Sequence, residues 1–100
     1  MYTNVIFHAK TNDAKLKVFV EKNELRFNDQ GVASIALLRG QEYNLYCFAI
    51  GKPGSGYELS IIEPKDISLF ISKTIDSLTE EKEKYALTLP HKEKRFVRIS

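Results

Sequence analysis

Along most of this chain, hydrophobic residues recur at every second position. Val5, Phe7 and Ala9 alternate with Asn4, Ile6 and His8, and Leu16, Val18 and Val20 alternate with Lys15, Lys17, Phe19 and Glu21. Further sets are Leu25 with Phe27; Ala33, Ile35 and Leu37; and Tyr43, Leu45, Cys47 and Ala49. Then come Tyr57, Leu59 and Ile61; Ile67, Leu69 and Ile71; Tyr85, Leu87 and Leu89; and Val97 with Ile99. Side chains two apart share one face of a strand, so each set can line one core. The intervals carry turn chemistry: Thr11-Asn12-Asp13, Lys22-Asn23, Asn28-Asp29-Gln30-Gly31, Arg39-Gly40, Glu63-Pro64-Lys65 and Pro90-His91-Lys92. The pattern predicts an all-β protein, an antiparallel β-sandwich of about seven to nine strands. At 100 residues the chain reads as one domain, residues 1–100.

Two stretches depart from the alternation. Ser77-Leu78-Thr79-Glu80 has the form of a capping box and is followed by Glu81-Lys82-Glu83-Lys84, which suits a helix. Only charges separate Leu78 from Tyr85, so the apolar stripe is thin, and a charged loop or single helical turn is expected. The second stretch is Ile50-Gly51-Lys52-Pro53-Gly54-Ser55-Gly56-Tyr57, with three of the five glycines. A phosphate loop needs its lysine directly after the last glycine and then a helix. Here Lys52 follows the first glycine, and Tyr57-Glu58-Leu59-Ser60-Ile61 reads as a strand. The glycines also miss the G-x-G-x-x-G order of a dinucleotide site. Pro53 and Gly54 suit the centre of a β-turn, so a hairpin loop is expected, with Lys52 and Tyr57 placed for partner contacts.

Composition narrows the function classes. Fifteen basic and thirteen acidic residues leave a net charge of +2, too balanced to signal a nucleic-acid or membrane-surface protein. No run approaches the roughly 18 apolar residues of a membrane helix. The lone Cys47 has apolar neighbours and reads as a buried structural residue; one cysteine fits a reducing compartment. The N-terminus shows no secretory signal, which implies a cytoplasmic protein if Met1 is native and an exported one if a leader has been removed. His8 and His91 lack the spacing of a zinc site, and Met1, the single methionine, cannot complete a blue-copper set. Gly54-Ser55-Gly56 is not a nucleophile elbow. No catalytic residue, cofactor or metal is therefore expected.

Phe19, Tyr46, Phe48, Phe70 and Phe96 fall on the parity opposite to the core, and the strand around Tyr46 is apolar on both faces. Two readings stand: an outward aromatic patch that binds a partner, or a second core layer reached through a bulge. The first predicts a non-catalytic module making protein contacts, with itself or another chain, using Phe19, Tyr46, Phe48 and Phe70 as anchors. The alternative is a small nucleic-acid-binding β-domain using Lys92, Lys94, Arg95, Phe96 and Arg98 of the C-terminal strand.

The run from Leu16 to Ile50 contains Phe27-x-Asp29-x-Gly31-x-Ala33-x-Ile35-x-Leu37, then Gly40 and Tyr43-x-Leu45. It resembles prealbumin-like sandwiches, including Cna B-type domains and the regulatory-like domains of carboxypeptidases. Two residues separate Gly40 from Tyr43 where that pattern has one, and Arg95 to Ser100 offers no Asn or Asp for an internal crosslink. The resemblance implies a non-catalytic module for adhesion or protein contacts. An immunoglobulin-like sandwich fits nearly as well.

Overall fold

The computed structural model describes residues 1–75 and 81–89, the side chains of 81–83 excepted. It is all-β, with one antiparallel sheet of six strands among the described residues: β1 (Tyr2–Val20), β2 (Asn23–Glu24), β3 (Val32–Leu38), β4 (Glu42–Glu63), β5 (Phe70–Thr74) and β6 (Glu81–Thr88). No described helix is long and apolar enough to cross a membrane.

The long strands β1 and β4 pair along their lengths, but the ladder is interrupted. Asn12 sits opposite Gly56 and Ala14 opposite Gly51, so four residues of β4 face Asp13 alone. Asp13 absorbs the jump with a positive φ of 56°, a conformation that Asp tolerates better than most residues. The core parity of β1 changes there, from Val5 and Phe7 to Val18 and Val20. Thr11-Asn12-Asp13 is thus a bulge inside one strand and not the end of one.

The expected hairpin at residues 50–57 is corrected in the same way. The glycine-rich stretch is an excursion within β4. Gly54 donates its amide to the Ile75 carbonyl at 2.9 Å, and Ile75 donates to Ser55 at 2.7 Å. A side chain on Gly56 would put Cβ 2.5 Å from the Lys73 carbonyl oxygen. Glycine is needed because backbone approaches backbone, not because a chain reverses. Sequence reading confused the two because both want Gly and Pro.

The interruption divides the sheet into two half-sheets. In the first, β3 pairs the N-terminal half of β1, which pairs the C-terminal half of β4, which pairs β5. In the second, β2 pairs the C-terminal half of β1, which pairs the N-terminal half of β4, which pairs β6. The charged run from Glu81 therefore opens a strand instead of the expected loop or helical turn, because β4 supplies it with a ladder from Ala49 to Glu42. The capping-box residues 77–80 lie outside the described residues.

β1 must also bend. Straight, it would span roughly 60 Å from Tyr2 to Val20 at a strand's rise. Tyr2 pairs Leu38 and Val20 pairs Leu45, and a seven-residue step reaches at most about 25 Å. The corner is tight: Arg39 donates its amide to Met1 and Gly40 to Leu89, while Tyr43 Oη accepts the Leu38 amide at 2.8 Å. One core spans both halves, with Phe7 and Leu59 from the first packed in the same cluster as Val18, Leu45 and Cys47 from the second.

At the same corner, Arg39 and Asp66 form a buried, two-pronged ion pair at 2.8 and 3.2 Å, their side chains 5% and 0% exposed. It joins the end of β3 to the β4–β5 connection. At the other end of β3, the Asn28 side-chain oxygen accepts the amides of Gln30 and Val32. Replacing Asn28 with Ala removes both bonds. A loss of about 1 kcal/mol is expected, read as a lower urea midpoint at unchanged slope.

Candidate functional site

Cross-strand partners lie side by side on the same face. On the outer face of the second half-sheet, Phe19 is partnered by Glu24 on β2 and by Tyr46 on β4, and Tyr46 by Lys84 on β6. One row therefore reads Glu24, Phe19, Tyr46, Lys84 across four strands. In the next row toward the bend, Lys17 partners Phe48, and beyond it Lys15 partners Ile50. Phe19 and Phe48 meet edge to face, ring centroids 5.6 Å apart and planes at 85°. Phe19, Glu21, Tyr46 and Phe48 line a shallow depression.

The three rings are half-buried, and they lie outside the core cluster. Lys15, Lys17, Lys84, Glu21 and Glu24 around them are exposed, and Ile50 is 46% exposed. Glu21 is tied down, its carboxylate accepting the Asn44 amide at 2.7 Å. The result is an aromatic centre with a charged rim, a layout common to protein interfaces. The rings sit outward because Leu45, Cys47 and Ala49 take the inward positions of β4, and Val18 and Val20 those of β1.

The remaining sequence-derived candidates separate from this trio. Phe70 is 63% exposed, but it pairs Ser60 in the first half-sheet and belongs to a different face. Tyr57 is corrected outright. It is 3% exposed in the core because it follows the excursion on the inward parity of β4, beside Leu59. Lys52 is exposed on the excursion, beside a depression lined by Asp13, Lys15 and Ile50. Ser55 is buried and donates its hydroxyl to the Lys52 carbonyl at 2.5 Å, a structural role. Cys47 is fully buried. Lys92, Lys94, Arg95, Phe96 and Arg98, with His91, lie outside the described residues.

Sequence reasoning did not join the charged rim to the aromatic trio. The signal was present for part of it: Lys15, Lys17 and Phe19 share a parity, so they share a face. Lys84 and Glu24 could be placed only by register, which is not visible in a sequence. No protein-family model, curated protein or solved structure matches the chain.

Proposed function

We propose that the chain is a non-catalytic β-sandwich module that makes protein–protein contacts through the outer face carrying Phe19, Tyr46 and Phe48. The bend of β1 and the single core cluster support two half-sheets packed face to face. The observation that carries the functional reading is the aromatic trio outside the core with a charged rim. Outward positions on central strands usually hold polar residues. Three rings there keep apolar area available for a partner, and each ring is a large anchor of low conformational cost.

The test uses a Phe19→Ser/Phe48→Ser double variant alongside the unaltered chain as bait against extract from the source organism. The fold should persist, because both rings lie outside the core, and a cooperative melt checks this. The unaltered chain is expected to retain a discrete protein, its own copy included, and the variant to lose it. Identical capture by the two baits rejects the reading.

A further inference from the structure

We infer that the partner on this face is an acidic segment of another protein, held with its carboxylates over Lys15 and Lys17 and an apolar side chain against Phe19, Tyr46 and Phe48. This rests on reading the face as a binding surface. The argument is the uneven distribution of charge along the strands, joined to a series of adjoining depressions.

Residues two apart along a strand share a face and lie about 7 Å apart. Toward the bend, the outer face of β1 carries Phe19, then Lys17, then Lys15, opposite Tyr46, Phe48 and Ile50 of β4 in turn. One depression is lined by Phe19, Glu21, Tyr46 and Phe48. The next shares Phe19 and Phe48 and adds Lys15, Lys17, Ala49 and Ile50. A third, nearer the bend, shares Lys15 and Ile50 and adds Asp13 and Lys52. Along the second and third, three lysines stand against the single carboxylate of Asp13. Arg26 adds to them. Leu25 donates its amide to Val18, which continues the β2 ladder and brings the exposed Arg26 to the position opposite Lys17.

The acids of this face gather at the other end of the rings, Glu24 beside Phe19 with Glu21 and Glu42 beyond it. Two of them have partners already. Glu21 accepts the Asn44 amide at 2.7 Å, and Glu42 accepts the Thr88 hydroxyl at 3.3 Å. The positive potential at the bend end is therefore not cancelled row by row, and it favours carboxylates there. The depression beside it, walled by three rings, takes an uncharged side chain. A carboxylate and an apolar side chain two residues apart in an extended segment match that spacing. Single-stranded nucleic acid fits less well. Phe19 and Phe48 meet edge to face at 85°, so one ring covers a face of the other, and the two do not offer parallel platforms to successive bases. Glu24 and Glu21 also stand where the phosphates of a strand crossing the rings would continue.

Selection from a random-peptide display library tests this, with the unaltered chain, Lys15→Glu/Lys17→Glu and Phe19→Ser/Phe48→Ser as baits. These positions lie outside the core cluster, and a cooperative melt checks that each variant is folded. The unaltered chain is expected to enrich peptides of net negative charge that carry an apolar residue, and both variants to lose them. A synthetic peptide from the enriched set should bind Lys15→Glu/Lys17→Glu at least ten-fold more weakly. Its affinity for the unaltered chain should also fall at least ten-fold between about 0.05 and 0.5 M salt. No enrichment, or enrichment of neutral or basic peptides, overturns the inference. So do acidic peptides that Lys15→Glu/Lys17→Glu holds equally well. A labelled oligothymidylate that binds more tightly than the acidic peptides, and is lost with Phe19→Ser/Phe48→Ser, assigns the face to nucleic acid and also overturns it. Neutral peptides lost only with the ring variant leave the broader reading of the face standing, whereas peptides that the ring variant retains count against that reading too, so the two can fail separately.

Discussion

Asp66→Ala is expected to lower the stability of the fold by about 3–5 kcal/mol, leaving the Arg39 guanidinium buried without its carboxylate. A domain of this size has on the order of 5–15 kcal/mol in total, so the variant should sit near the edge of folding. Arg39→Met strands the opposite charge and should cost a similar amount. The informative variant is the double, Arg39→Met with Asp66→Leu. If the loss in each single change comes from an orphaned charge, replacing both with apolar chains restores most of it. Urea denaturation of the four proteins measures this. A double variant as unstable as either single would mean that the pair is a net source of stability, and one as unstable as the sum of the singles would mean that the two residues act independently.

Phe7→Ala should be equally damaging, by about 3–5 kcal/mol. Phe7 is fully buried on β1, between Ala33 on β3 and Ile61 on β4 in the ladder. Its ring belongs to the cluster that holds both half-sheets. Removing it loses burial and leaves a cavity that strands paired on both sides cannot collapse to fill. Phe48→Ala, the same chemical change on the outer face, should cost about 1 kcal/mol or less in the isolated chain. Thermal melts of the two variants compare an inward with an outward phenylalanine directly. Near-equal losses would mean that the outer rings act as a second core layer.

The period-two pattern was enough to identify an all-β antiparallel protein and most of its inward residues, because alternation is a local property of a strand. Val18, Val20, Leu45, Cys47, Leu59 and Leu87 are all buried as their parity implies. Local chemistry also marked the turns at Asn28–Gly31 and at Pro64. What failed was telling an interruption from an end. Asn12-Asp13 and Gly51 to Gly56 carry turn residues, but each is an irregularity inside a strand of about 20 residues. That mistake made Tyr57 a loop contact residue, although its alternation with Leu59 and Ile61 had already placed it inward, where it lies. The Arg39–Asp66 pair was invisible because 27 residues separate its members and neither carries a local signature. For the aromatic face, parity gave the outward direction of Phe19, Tyr46 and Phe48. Only the register of β1 against β4 could show that these three meet and that Phe70 does not.

The sharing of β1 and β4 between both half-sheets bears on how the chain folds and comes apart. Neither half has central strands of its own, so neither can melt and leave the other intact; one all-or-none transition follows. Three of the five described ladders also join distant parts of the chain, as where Tyr2 meets Leu38, Ile6 meets Glu63 or Glu42 meets Thr88. Such a topology must close long loops before its contacts reward it, which places folding in the slow, millisecond-to-second range of β proteins. During synthesis β1 emerges before β4, its main partner, and waits for it while β2 and β3 are made.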